Sequence, residues 1–461
     1  MIRLGVLFLA SLWPALVSGG ALWFPDIAPY VRGGHLAVET LLAAGEGEGA
    51  AGAGAALTDA APGESQTERA AGLAGRATAS VSGVRSVAYS VFAYLGGLAA
   101  PAFWGVALIQ AALLAGLVSI LARREGGPLW LWAGVLALSA APLSASSAGP
   151  DVFAGLLFLS ALIVFRYGRR LTAGEAGLVL GTLAFGVAAH ASHVLLAGAL
   201  ALGVLLLGTR TQRRAGVLLA GGVAVGVAGV LAASLIGFGE ASLAPKRYPI
   251  VLARAIEDGP ALWHLQDHCD EHGYTVCEVF PDGIPDNVGS FLWREGGVRD
   301  RASPAQMEAI RAEEALILRR AFAEYPFFQL RKAGGNFARQ LATFIETPRL
   351  GSRTTYLGGG EVASEGTSIR SFSRLSALAQ GLVTLGGLLL VAALAFTGAL
   401  RLDRDDRRLL CLLALGLAAN AAVCGVLSVP EARYQARIVW VLPVIAAALL
   451  VRAPIIARRL A

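Results

Sequence analysis

The chain has 461 residues, of which 56% are hydrophobic and 15% charged, with a mean hydropathy of +0.62. That balance excludes an ordinary soluble domain, which rarely carries even one apolar run of the roughly 20 residues needed to cross a bilayer as a helix. The formal net charge of +6 does not read as a nucleic-acid signal, because the cations are spread over the ends of apolar runs and form no single basic domain.

Ten apolar runs are expected to span the membrane: 4–23, 101–122, 128–148, 152–165, 173–191, 192–209, 215–238, 376–399, 409–428 and 438–451. Residues 1–23 have the outline of a signal peptide, with Arg3 before an apolar stretch, but with nine further spans behind them an uncleaved first helix is expected. Short cytoplasmic loops carry excess Arg and Lys. Arg3 and the clusters Arg123/Arg124, Arg166/Arg169/Arg170, Arg210/Arg213/Arg214, Arg401/Arg404/Arg407/Arg408 and Arg452/Arg458/Arg459 therefore mark one side, and both termini read as cytoplasmic. The stretches 24–100 and 239–375 then face outward.

The first outer loop, 24–100, opens with Phe24-Pro25-Asp26 and contains Ala43 to Gly63, a Gly- and Ala-rich tract with too little bulk for a core and expected to be mobile. Arg85 to Leu98 is apolar and aromatic but too short to span, and predicts a helix at the interface or against the bundle. Asp151 opens the fourth span after Gly149-Pro150. A carboxylate at that depth costs a few kcal/mol unless it has a partner or a task; the plain reading is a first-turn acid, and for Asp26 an interfacial turn residue. His190 and His193, at the ends of two spans, read as polar interhelical contacts.

The excursion 239–375, between the seventh and eighth spans, predicts a mainly helical insertion. Ser303-Pro304-Ala305-Gln306 has the form of a capping box with proline at the first helical position, and a helix should run to Glu324. Tyr325-Pro326 opens another, whose Phe327, Leu330, Gly334, Phe337, Leu341 and Phe344 share a stripe away from Arg331, Lys332 and Arg339. The stripe fits a helix lying on a membrane surface or, equally, the core of a small domain. Cys269 and Cys277, eight apart in an outward segment, predict a disulfide, whereas Cys411 and Cys424 lie in apolar spans as packing residues. His264, His268 and His272 follow i, i+4, i+8 spacing, but histidines without a paired acidic motif make a weak metal signal, and no metal site is assigned.

The last outer loop, Pro430-Glu431-Ala432-Arg433-Tyr434-Gln435-Ala436-Arg437, sets two arginines on the side that the orientation rule leaves poor in them. A lipid phosphate would offset them, since a guanidinium presents a planar fork to phosphate oxygens; Glu431 or lipid headgroups would do so more plainly. No Walker loop, GxSxG elbow, CxxC pair or dinucleotide fingerprint occurs in a fitting context.

This plan resembles the GT-C superfamily of multi-pass glycosyltransferases, which use polyprenyl-phosphate-linked sugars at the outer face of the membrane. Phe24-Pro25-Asp26, the Gly149-Pro150-Asp151 turn, Ala321 and Pro326 before the later spans, and Pro430-Glu431-Ala432-Arg433-Tyr434 carry the likeness. The resemblance implies an all-α membrane protein of about ten helices, with 1–238 and 376–461 in the membrane and 239–375 outside, in a bacterial inner membrane. It implies a polyprenyl-phosphate sugar donor, an envelope acceptor, Asp26 as catalytic base, and Asp151, Glu431, Arg433, Tyr434 and Arg437 as substrate-binding residues. No cofactor is expected, although a divalent metal remains compatible. Many relatives carry a pair of acids where Asp26 stands alone. A transporter, polymerase or ligase handling lipid-linked glycan is the alternative reading.

Overall fold

In a computed structural model the described residues are 2–24, 26–45, 85–238, 241–245 and 247–453. Most of the tract Ala43 to Gly63, expected to be mobile, lies outside them, as do Pro25, Arg458 and Arg459. The described residues are mainly helical, with one two-stranded hairpin. In order come α1 (Ile2–Ser18), α2 (Ile27–Gly45), α3 (Val87–Ala99), α4 (Trp104–Glu125), α5 (Leu129–Leu138), α6 (Ala141–Ser146), α7 (Asp151–Tyr167), α8 (Ala173–Ala189), α9 (Ala191–Leu207) and α10 (Arg210–Phe238). Then follow α11 (Ile250–Asp258), α12 (Pro260–His272), α13 (Thr275–Val279), α14 (Val298–Arg301), α15 (Pro304–Glu324) and α16 (Pro326–Ala342). A hairpin of β1 (Ser352–Gly358) and β2 (Glu361–Gly366) precedes α17 (Arg370–Phe396), α18 (Arg404–Leu427), α19 (Ala432–Val439) and α20 (Val441–Leu450).

Among the described residues six helical segments are long and apolar enough to cross a membrane: Pro101–Glu125, Asp151–Arg170, Gly216–Ile236, Arg370–Phe396, Arg404–Leu427 and Ala432–Leu450. Further apolar helices of 10–17 residues include α1, α8 and α9. The run 128–148, expected as one span, is broken: Ser139 closes α5, and Pro142 sits in the first turn of α6, where a proline costs no helical hydrogen bond. Conversely 152–165, the shortest run, belongs to a longer helix because Asp151 and Arg166 extend it at both ends.

α7 is the axis of the bundle, buried along its length apart from Asp151 and Arg166. Its Gly155 permits the close approach of α19, since a Cβ there would lie 2.5 Å from the Arg437 carbonyl oxygen and from the Trp440 ring nitrogen. α10 and α17 lie outermost and leave Val217, Val225, Leu382 and Leu389 exposed, as lipid-facing helices would.

Residues between α10 and β1 build a separate apolar cluster from Leu252, Leu265, Phe280, Phe291, Ile310 and Ile317. The capping box forms as expected, with Ser303 and Gln306 each accepting from the other's backbone N–H. A disulfide joins Cys269 to Cys277, whose Cα atoms are 5.9 Å apart. On α16 the side facing the bundle is polar: Asn336 and Gln340 are buried, while Phe327 is 86% exposed and Leu330 and Leu341 are also exposed. The apolar stripe is therefore not the core of the small domain.

The hairpin was not expected. Three glycines with positive φ, Gly358 to Gly360, make its turn. It docks on the strand-like exit of α1, where Thr354 N–H donates to the Ala21 carbonyl at 2.8 Å and Trp23 N–H to the Ser352 carbonyl at 3.2 Å. Arg32 on α2 pairs with Glu361 at 2.7 Å. The segment that carries Phe24 and Asp26 is thus tied on both flanks.

Candidate active site

Asp26, Asp151, Arg433, Tyr434 and Arg437, far apart in sequence, line one cavity of about 300 Å³. Asp151 stands in the first turn of α7, the plain reading of its position, and its charge suits a helix N-terminus. Fixing that turn, the buried Gln110 amide of α4 donates to the carbonyls of Ala145 and Ser147 at 3.0 and 2.7 Å. Arg433 and Arg437 are four apart on α19, so both guanidiniums fall on one face toward α7.

The charges interlock. Arg433 Nη2 donates to Asp26 Oδ2 at 3.1 Å, and its Nε lies 3.7 Å from Asp151 Oδ2. Arg437 Nη1 reaches Asp151 Oδ1 at 3.4 Å. Arg85, at the foot of α3, lies 3.6 Å from Asp26 Oδ1 and donates to the Asp26 carbonyl at 2.9 Å. The Arg433 guanidinium lies 3.9 Å from the Phe24 ring centroid and 5.1 Å from that of Tyr434, within cation–π range of both. Arg437 is more deeply held, 4% exposed, and its Nη2 also donates to Asn420 Oδ1 at 3.0 Å and Cys424 Sγ at 3.1 Å. Arg433 is therefore the cation best placed to meet a ligand, while Arg437 fixes Asp151.

Glu431 stands apart from this group. Its side chain is exposed, and its backbone N–H and C=O are held by Gln340 at 2.9 and 2.8 Å. The arginines find their counter-charges in Asp26 and Asp151 instead. Cys424 is buried as expected, but Cys411 is exposed on the outer side of α18. His190 lines the cavity and caps α9 by accepting from Ser192 N–H, and buried His193 bonds the Gly186 carbonyl at 2.7 Å.

Glu346 is the residue that sequence reasoning missed. It borders an adjoining cavity of about 110 Å³ together with Phe24, Ser147, Asp151, Arg349 and Arg433, so the two cavities share a wall. Buried Gln380 of α17 grips its backbone, donating to the Glu346 carbonyl at 2.9 Å and accepting from its N–H at 3.4 Å. Its side chain is half-buried, and its carboxyl is pushed up to about 7 by desolvation and by the negative charge of Asp151, against the opposing pull of Arg433. The only sequence signal was an acid flanked by Phe344-Ile345 and Thr347-Pro348.

Chemically, the site offers a planar cation beside two aromatic rings, two carboxylates already facing guanidiniums, and a third carboxyl that exchanges its proton near neutral pH. Such a donor set suits a phosphate or pyrophosphate group. Asp26 and Asp151 are oxygen donors of the kind that hold Mg²⁺, but here the guanidiniums supply their counter-charge. No family model, curated protein or solved structure matches this chain.

Proposed function

We propose that the chain is a membrane glycosyltransferase of GT-C type that moves a sugar from a polyprenyl-phosphate donor to an envelope acceptor. The observation that supports this reading best is the convergence of Asp26, Asp151, Arg433 and Glu346 on two adjoining cavities at one end of the bundle. In this reading the donor phosphate meets Arg433, displacing the Asp26 carboxylate from the guanidinium, and Arg85 keeps Asp26 paired. A carboxylate takes the proton of the acceptor hydroxyl as its oxygen attacks the anomeric carbon, the carbon–oxygen bond to phosphate breaks, and Arg433 stabilises the departing phosphate. The proton-accepting role expected of Asp26 passes to Glu346, because a base works best when its proton affinity lies near the working pH.

The topology belongs to the same proposal: ten spans, both termini in the cytoplasm, and 239–375 outside with the cavities. Opposite the cavities, the arginine-rich ends of the helices would then face the cytoplasm, in keeping with the positive-inside rule. Incubating the purified full-length protein in detergent with radiolabelled polyprenyl-phosphate sugars tests the function. Label transferred by the wild-type chain and not by Arg433→Gln supports it. Binding of the donor without turnover, equal for any acceptor, would favour a carrier.

A further inference from the structure

We infer that the extramembrane helical unit holds a divalent transition metal, best matched by Zn²⁺, on His264, His268 and Glu324. Sequence spacing brings the two histidines to one face of α12, but the acid comes from the end of α15 and is visible in the fold alone. His264 Nδ1 lies 2.8 Å and His268 Nε2 3.6 Å from the same oxygen, Glu324 Oε1. The three ligand atoms fall within 4.8 Å of one another. Tetrahedral Zn²⁺, with bonds of about 2.0–2.2 Å to nitrogen and oxygen, needs ligand atoms about 3.3–3.5 Å apart. Side-chain rotation closes that difference.

The outer partners carry the inference further. A metal-binding imidazole donates its other N–H to a carboxylate or another oxygen, which fixes its tautomer and aims the free nitrogen at the ion. Both histidines have such a partner. His268 Nδ1 lies 3.0 Å from Glu271 Oε2, and His264 Nε2 lies 3.0 Å from the Tyr274 hydroxyl oxygen. Arg320 donates to that same oxygen at 2.7 Å, occupying one lone pair and leaving the other for the imidazole N–H. With protons placed on those outer nitrogens, two imidazole lone pairs and a carboxylate converge with no hydrogen among them. A cation resolves that arrangement. The disulfide between Cys269 and Cys277 removes thiolate competition and bridges the turn that carries Tyr274, so the set is nitrogen and oxygen only, with a fourth position open to water or to His272, whose ring stacks 5.6 Å from that of His268. This metal lies outside the cavity of Asp26 and Arg433 and does not depend on the proposed reaction.

Equilibrium dialysis of the purified full-length protein against Zn²⁺, with metal counted by mass spectrometry, tests it. The wild-type chain should retain about one equivalent and gain thermal stability from it. His268→Gln and Glu324→Gln, both partly exposed and tolerant of change, should lose the bound metal and the stabilisation. Tyr274→Phe, which removes the support of His264, should weaken binding about 10–100-fold. Asp267→Asn, exposed on the same helix but off the triad, should leave binding unchanged. Wild-type protein without bound Zn²⁺, or equal retention in His268→Gln and Glu324→Gln, would overturn the inference.

Discussion

α7 carries a charged cluster at each end, and the two differ in how their charges are used. At its start Asp151 meets Arg433 and Arg437 around an open cavity, with Asp26 45% exposed and Asp151 16% exposed. At its end Arg166 and Arg452 share Asp406 at 3.1 and 2.7 Å and reach Glu125 at 3.7 and 3.4 Å, while Tyr167 donates to Glu125. There Asp406 is 2% exposed. Residue types are the same at both ends, some 25 Å apart along a 17-residue helix. What separates them is the setting of the carboxylates: Glu125 and Asp406, 8% and 2% exposed, tie helix ends together, whereas Asp26 and Asp151 line a cavity open to a ligand.

The sharpest contrast in stability should come from cutting each cluster once. Asp406→Ala strands Arg166 and Arg452 and also removes the reciprocal cap between Asp403 and Asp406, so it should cost about 3–5 kcal/mol in a thermal or denaturant melt. Asp26→Asn, half exposed, should cost less than about 1 kcal/mol. Equal losses for the two would erase the distinction. Gly155→Leu should fall between them, at about 1–3 kcal/mol, by forcing α19 away from α7 and moving Arg437 off Asp151; a melt unchanged from wild type would mean the helices can part freely.

A smaller effect separates Glu346 from its neighbours. Its folded-state value of about 7 exceeds the ordinary 4.5, so the fold favours the neutral acid. The stability it confers relative to the charged form is complete below pH 4.5 and is lost as pH rises through 7. Glu346→Gln, always neutral, should match the wild-type melting temperature near pH 4 and exceed it near pH 8. A constant offset across that range would contradict the shifted carboxyl.

The helical, membrane-type build was legible in residues alone because apolar runs of about 20 residues are a coarse signal. Asp26, Asp151, Arg433 and Arg437 stood out as charges that orientation did not explain, and they share a cavity. The partner of each was not legible: Glu431, the nearest acid in sequence, is turned away, because pairing is decided by the approach of α19 to α7 at Gly155. Glu346 escaped notice since its environment comes from the Asp151 turn and from Gln380 on another helix. The hairpin escaped as well, although the Gly358 to Gly360 run between Thr- and Val-bearing segments was a turn signal. The stripe on α16 was seen but left between two meanings, of which the exposure of Phe327, Leu330 and Leu341 removes the small-domain core.

The central claim, that the open cluster performs chemistry and the closed one holds the fold, is tested most directly by sugar transfer from radiolabelled polyprenyl-phosphate donors across pH 5 to 9. The wild-type rate should rise through about pH 7, as Glu346 loses its proton. Glu346→Gln should lower it about 10²–10⁴-fold and abolish that rise, while Asp406→Asn should keep the wild-type rate per folded molecule. Transfer by Glu346→Gln at the wild-type rate and with the wild-type pH profile would contradict the account.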